Sequence, residues 1–267
     1  MKKKTYFISA DIEGVTDVTA WCETQKGGDG YERSCLQMTK EVAAACEAVI
    51  EAGHEVVVRD GHGTARNIFH EQLPEGVRLM RGWACHPASM MAGLSDKYAG
   101  AIYIGYHAPA GSDESPLAHT TNYDHVASLE INGRIASEFT LNSLYAASKG
   151  VPSIFISGDS GICRRASEEI PDIVTVAVKE CRGNSTFNLH PKEVAERIKA
   201  KVKEAIEKPA PLIELPESFE MVVRLKQHQL ARNALSHPNV RRISEDTVAC
   251  TVHSPAELCF MFGFIVG

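Results

Sequence analysis

Three apolar runs that each end abruptly in polar residues and glycine constrain this chain more than any other feature. Thr5 to Ala10 leads into Asp11-Ile12-Glu13-Gly14, and Glu55 to Arg59 leads into Asp60-Gly61-His62-Gly63. Ala99 to Tyr106 leads into His107-Ala108. Runs that are apolar throughout, rather than alternating, belong to strands covered on both faces. Between the first two, Leu36, Met38, Val42, Ala45, Cys46 and Val49 recur at helical spacing over Tyr31 to Ala52, and Gly53 follows as a stop signal. Val151 to Ser157 reads as a further strand, and Val126 to Ile131 as a strand closed by the Asn132-Gly133 turn. Ile135 to Lys149 and Pro191 to Lys208 read as helices, the second with proline at its first position. This alternation predicts an α/β fold: a mostly parallel central sheet flanked by helices. The Lys208-Pro-Ala-Pro segment and Glu214 to Pro216 break the pattern. The expected division is a main α/β unit over 1–210, which carries the polar clusters, and a smaller α+β extension over 211–267 that is a candidate for oligomerisation.

Composition narrows the partners. The chain has 267 residues, 44% of them hydrophobic, enough for a sizeable core. With 28 basic against 34 acidic residues, its net charge of -6 gives no bulk attraction for nucleic acid. No apolar run approaches the roughly 18 residues of a membrane span, and Asp11 and Glu13 interrupt the first apolar stretch too soon for a secretory signal. A cytoplasmic location is therefore expected. The eight cysteines are scattered singly without a C-x-x-C pair, which excludes a zinc-ribbon or thioredoxin-type motif.

Parallel sheets bind ligands beyond the carboxyl ends of their strands, which is where the polar clusters lie. On a strand, Asp11 and Glu13 point to one face, and two adjacent carboxylates are costly unless a cation or a shared proton compensates them. The plainer reading of such a pair is a solvated strand end. His62 and His107 each follow a strand on the same rim, and imidazole with carboxylate suits zinc or a similar ion. Glu138 lies where a helix begins and, alone, reads as an acid favoured by the helix dipole. His119 follows His107 by too many residues for a helical pair and must arrive on a loop or hairpin. Asp60 is either a turn acid or a group that orients a ligand histidine, and Asp159 is either a solvated turn acid or a support for the site. Tyr31-Glu32-Arg33 reads as a helix start, whereas Asn122 and His125 lie within possible reach of a ligand.

These blocks, Ser9-Ala10-Asp11-Ile12-Glu13-Gly14, Asp60-Gly61-His62, Gly105-Tyr106-His107-Ala108, the His119 segment and Ile131-Asn132-Gly133 through Glu138, stand in the order of the DppA-like D-aminopeptidase family, which the chain resembles over nearly its whole length. The resemblance implies a dinuclear zinc site with two zinc ions per chain. Asp11 would bridge them, Glu13 and His62 would complete one ion, and His107 and Glu138 the other; His119 matches the family's catalytic histidine. It further implies an aminopeptidase acting on short peptides, with D-residues such as D-alanine at the N-terminus, assembled as a homodecamer of two stacked pentamers. Two alternatives remain open. A dinuclear phosphoesterase would need an arginine clamp, for which Arg59 and Arg134 are the nearest candidates. A non-catalytic metal- or peptide-binding protein would have no need of His119.

Overall fold

Six parallel strands and one antiparallel edge strand form the central sheet of the computed structural model, which describes residues 2–267. In chain order, β1 (Thr5–Ala10) is followed by the long helix α1 (Tyr31–Glu51), β2 (Glu55–Asp60) and β3 (Arg78–Met80). Next come β4 (Tyr98–Tyr106), the hairpin β5 (Val126–Ile131) and β6 (Arg134–Ile135), and α2 (Glu138–Ser148). β7 (Ser153–Asp159), α3 (Ser160–Glu169), β8 (Val174–Arg182), β9 (Ser185–Asn188) and α4 (Pro191–Glu207) close the central layer. The C-terminal part adds β10 (Phe219–Leu225), α5 (His228–Ala234), β11 (Arg241–Arg242), β12 (Thr247–Val252) and α6 (Pro255–Val266).

The central sheet runs β3-β2-β1-β4-β7-β8-β9. The chain builds outward from β1 in one direction, then restarts at β4 and builds in the other. The boundary between β1 and β4 is thus the point where strand order reverses, and loops leaving adjacent strand ends there diverge to opposite faces and open a crevice. Register places Ala10 level with both Asp60 and Ile104, so the three polar clusters emerge at one height on one rim. α1 and α4 cover one face of the sheet; α2 and α3 cover the other. Tyr6, Ile8, Val56, Ile102 and Ile154 bury against α1 and α4, while Phe7, Tyr103 and Ile156 face the opposite core. Strands with both faces buried account for the absence of alternation in their sequence.

A second, antiparallel sheet runs β11-β12-β10-β5-β6 and packs against α5 and α6. Two of its strands, β5 and β6, come from within the 1–210 span, so both sheets draw on that part of the chain. The hairpin also corrects one expectation. The helix read from Ile135 starts at Glu138 instead, because Asn132 (φ 51°) and Gly133 (φ 75°) turn the chain back and Arg134–Ile135 pairs with β5. Ser137 then caps the helix, its Oγ accepting from the Thr140 N–H at 3.1 Å while Thr140 Oγ1 accepts from the Ser137 N–H at 3.0 Å. Among the described residues no helix is long and apolar enough to cross a membrane.

Candidate metal centre

The two carboxylates at the end of β1 are held in place by close backbone contacts across the switch point. The Asp11 N–H donates to Ile104 O at 2.8 Å and the Gly14 N–H to Gly105 O at 2.8 Å. A Cβ at Gly14 would lie 1.8 Å from Tyr106 O, and Gly105 adopts φ +73° with space for a Cβ blocked 2.3 Å away by Asp11 O. Glycine at these two positions is what lets β1 and β4 part while their ends stay in contact.

All six candidate residues converge. Asp11, Glu13, His107, His119 and Glu138 are buried, and the His62 side chain is nearly so. Asp11 uses its two oxygens separately: Oδ1 lies 3.2 Å from His62 Nδ1 and Oδ2 lies 3.4 Å from His107 Nε2. Glu13 Oε2 is 3.1 Å from His62 Nδ1, and Glu138 Oε1 is 3.4 Å from His107 Nε2 and 3.6 Å from His119 Nε2. The rings of His107 and His119 stack with centroids 4.2 Å apart.

Each histidine has its other nitrogen anchored on a backbone carbonyl. His62 Nε2 donates to Thr24 O at 2.7 Å, His107 Nδ1 to Ala108 O at 3.0 Å and His119 Nδ1 to Leu117 O at 2.9 Å. A ring nitrogen that donates to a carbonyl must carry the proton, which leaves the opposite nitrogen as the lone-pair face of a neutral ring. All three lone pairs then point into the carboxylates. Glu13 Oε2 and His107 Nε2 are fully buried without a hydrogen-bond partner, a costly arrangement that a cation would relieve. The donor atoms of Asp11, Glu13 and His107 form one group compact enough to hold an ion, and those of His107, His119 and Glu138 form another. The residues therefore fit a metal, and the carboxylate–imidazole set suits zinc.

Electrostatics follow the same pattern. Burial opposes a charge on Asp11, but the hydrogen bonds and charges of His107 and His62 outweigh it and hold its carboxyl well below the usual value. Burial likewise disfavours charge on His62 and His107, yet the nearby carboxylates raise both pKa values well above 6.5, with the Glu13 charge foremost for His62 and the Glu138 charge for His107. Glu138 is lowered by His107 against its own burial. Without a metal, the protons on these rings take the place of cations.

Other residues hold the loops. Asp159 caps α3 through the Ile162 N–H and also accepts from the Ala108 N–H, both at 2.8 Å, so it supports the chain directly after His107. Asp60 does not reach the His62 ring. It accepts from Asn67 N–H, Asn67 Nδ2 and the Ile68 N–H, and Asn67 Nδ2 donates in turn to His62 O. Tyr31 Oη donates to Asn67 Oδ1 at 2.5 Å, tying the start of α1 to the same loop. The His125 N–H donates to Asn122 Oδ1 and His125 Nδ1 donates to Val266 O, away from the carboxylates. Sequence reasoning missed Lys179 on β8. It is buried, and its Nζ donates to Glu13 O and Val18 O at 2.5 Å and to Val15 O at 3.1 Å, fastening the loop that carries the carboxylate pair. The one available signal was a lysine directly after the Val174–Val178 run, toward the rim end of its strand.

A cleft of about 520 Å³ opens over the cluster, walled by Trp21, Tyr31, Trp83 and Tyr123 among others. Trp21 stacks on Tyr123 with centroids 4.4 Å apart and meets His119 edge-on at 5.2 Å. Neither Arg59 nor Arg134 lines it. Arg134 is exposed on β6, and Arg59 is fully buried with its guanidinium 4.8 Å from the Trp83 ring centroid and donating to Gly82 O.

The family model described as D-aminopeptidase (Peptidase M55) matches residues 5–264. The chain belongs to this family. A D-aminopeptidase of Bacillus subtilis (strain 168) is 33% identical over 175 residues, 65% of this chain and 63% of that protein, so the match spans somewhat less than two thirds of the relative. The solved structure of the Zn-dependent D-aminopeptidase DppA from Bacillus subtilis, a self-compartmentalizing protease, is similar with a TM-score of 0.91 and 26% identity. That similarity covers 98% of this chain and 96% of the other. Membership of the family agrees with a hydrolase whose metal-binding residues sit at the β1/β4 crevice.

Proposed function

We propose that this protein is a zinc-dependent aminopeptidase that removes the N-terminal residue of short peptides, D-residues such as D-alanine among them. The observation that carries the reading is the convergence of three backbone-anchored histidines on three buried carboxylates, with Asp11 dividing its two oxygens between His62 and His107. Asp11 would bridge two zinc ions, with Glu13 and His62 on one and His107 and Glu138 on the other. When bound, two zinc ions supply Lewis acidity toward a peptide carbonyl and lower the pKa of a bound water.

His119 is the candidate catalytic residue. Its Nδ1 proton is fixed on Leu117 O, so its free Nε2 is placed to take a proton at the cluster and return it to the leaving amine. Glu138 Oε1 faces that nitrogen at 3.6 Å. Trp21 and Tyr123 wall the cleft beside His119. The protein would act in the cytoplasm, as a decamer of two stacked pentamers whose chamber admits short peptides; a stable monomer on size exclusion would refute that assembly. A phosphoesterase is disfavoured, since neither candidate arginine reaches the cleft.

The test is hydrolysis of D-alaninamide and L-alaninamide before chelation, after chelation and after zinc return. Activity abolished by chelator and restored by zinc establishes the metallopeptidase, and the D/L ratio sets its stereochemistry. Cleavage of neither isomer by zinc-loaded protein overturns the reading.

A further inference from the structure

A second cavity, of about 370 Å³, opens on the other side of Glu138, between α2, the 85–90 segment and α6. Ser89, Met90, Thr121 and Glu138 line both this cavity and the metal cleft, so the two spaces meet at the carboxylate cluster. Beyond that shared wall the lining is largely apolar, with Leu141, Phe260, Phe262 and Phe264 prominent. Two of the shared residues hold left-handed backbone, Ser89 at φ 47° and Thr121 at φ 63°. Such a conformation is uncommon for a β-branched residue and persists where the surrounding structure enforces it. Here the Thr121 N–H donates to Glu138 Oε1 at 2.6 Å.

One polar group faces this cavity with an unused acceptor. Asn142 is only 5% exposed, and its Nδ2 lies 2.9 Å from Tyr106 Oη. Tyr106 Oη is 2.8 Å from Ser9 Oγ, which is 3.1 Å from Met90 O. A carbonyl can only accept, so Ser9 donates to Met90. Ser9 therefore accepts from Tyr106, and Tyr106 accepts from Asn142. This chain of donors fixes which way the Asn142 amide points: Nδ2 is committed to Tyr106, and Oδ1 is left to the cavity that Asn142 lines, with no donor among the described residues.

We propose that this cavity receives the side chain of the substrate's N-terminal residue, an apolar group larger than a methyl, and that Asn142 Oδ1 accepts an N–H of that residue's α-amino group. The inference rests on the aminopeptidase reading and deepens it by naming the side-chain class. Its direction comes from charge. Among the described residues, Lys26 is the only lysine or arginine lining the metal cleft, and it complements the carboxylate end of a short peptide, so the leaving portion runs toward Lys26. The N-terminal residue then lies across Glu138, in the apolar cavity.

Gly263 of α6 supplies the test. It lines the cavity, and a Cβ built there meets nothing within 4 Å, so G263F inserts a ring without moving backbone. For zinc-loaded wild type, kcat/KM for D-leucinamide should exceed that for D-alaninamide by about tenfold or more. In G263F that ratio should fall by about tenfold. Calorimetry on zinc-free and zinc-loaded protein adds a readout independent of turnover. N142L should weaken D-leucinamide relative to 4-methylpentanamide, which lacks the amino group, by about tenfold at unchanged zinc content. A wild type that favours D-alaninamide, or an unchanged ratio in G263F, overturns the inference and leaves the peptidase reading intact. Should no amide be cleaved, the peptidase reading fails and binding decides the cavity. D-leucinamide binding that G263F abolishes supports it, and absence of binding overturns it.

Discussion

Glu41 offers a quantitative check on the support beneath the carboxylate loop. It is fully buried in α1, where Oε1 accepts from the Thr16 N–H and from Gln37 Nε2, both at 3.0 Å, while Oε2 has no partner. Burial pushes its carboxyl from the ordinary 4.5 up to about 7, against the two hydrogen bonds and the charge of Lys179. Because the folded pKa is raised, the folded protein holds a proton between pH 4.5 and 7 that the unfolded chain has lost. Stability must then fall as pH rises through that window and level off above it. At about 1.4 kcal/mol per pH unit, the loss comes to about 3 kcal/mol. Glu41→Gln keeps the shape and the acceptor but cannot ionise, so its stability lacks this slope. The variant also buries an amide N–H pair where the acid had one O–H, a difference that does not vary with pH. The quantity to measure is therefore the wild-type minus variant difference in urea unfolding free energy, at several pH values from 4.5 to 8. His62 and His107 titrate alike in both proteins and cancel, being independent of the substitution. The difference should move by about 3 kcal/mol in favour of the variant between the ends of the range. A difference that stays constant would mean that Glu41 is ionised throughout in the folded state, and the account of this buried contact would be wrong.

Other outcomes follow from the site. Glu13→Ala and His107→Ala should lower both bound zinc, measured by elemental analysis, and turnover, since each removes a buried donor atom that has no hydrogen-bond partner. His119→Ala should keep its zinc and lose about 100-fold or more in kcat; loss of zinc as well would make His119 a ligand, as its grouping with His107 and Glu138 permits. Because the carboxylates raise the pKa values of His62 and His107, zinc-free protein near pH 7 carries protons on these rings. Zinc binding should therefore release about one proton or more per ion and weaken as pH falls, seen by calorimetry in buffers of different ionisation enthalpy; binding without proton release would contradict the assignment. Gly14→Ala should abolish zinc binding even if the protein still folds, because the new Cβ would stand 1.8 Å from Tyr106 O and force the carboxylate loop away from β4.

What could be read from the sequence was what the backbone itself determines. Parallel strands deliver their ends to one rim, so Asp11, Glu13, His62 and His107 could be placed together, although Asp11 and Glu13 lie in the turn that follows β1 and not on the strand itself. Glu138 could not be separated from a helix-start acid by residue type, because it is one: it occupies the first position of α2. Its second role appears only once the loop after β4 folds back and the Thr121 N–H reaches it. Lys179 was invisible for a similar reason, since its partners lie 161 to 166 residues away. The helix read from Ile135 failed at its start because a two-residue β6 leaves almost no periodic signal. Arg59, the candidate phosphoester clamp, is buried because Trp83 covers it from a loop more than twenty residues later.

Ser9 shows how the two levels combine. It lies near the end of β1, two residues before Asp11, yet it hydrogen-bonds no histidine. It joins Met90 O to Tyr106 Oη instead. A hydroxyl is needed there because the position must donate to a carbonyl and accept from a phenol at once, which neither alanine nor a carboxylate, an acceptor only, can do. An alanine would leave Tyr106, fully buried at 0% exposure, free to donate to Asn142 Oδ1 and reverse the amide. The zinc donors would be untouched, while the acceptor beside Glu138 would turn away from the second cavity. Ser9→Ala should accordingly retain zinc and weaken recognition of the α-amino group, the same signature as N142L reached from the opposite end of the hydrogen-bond chain.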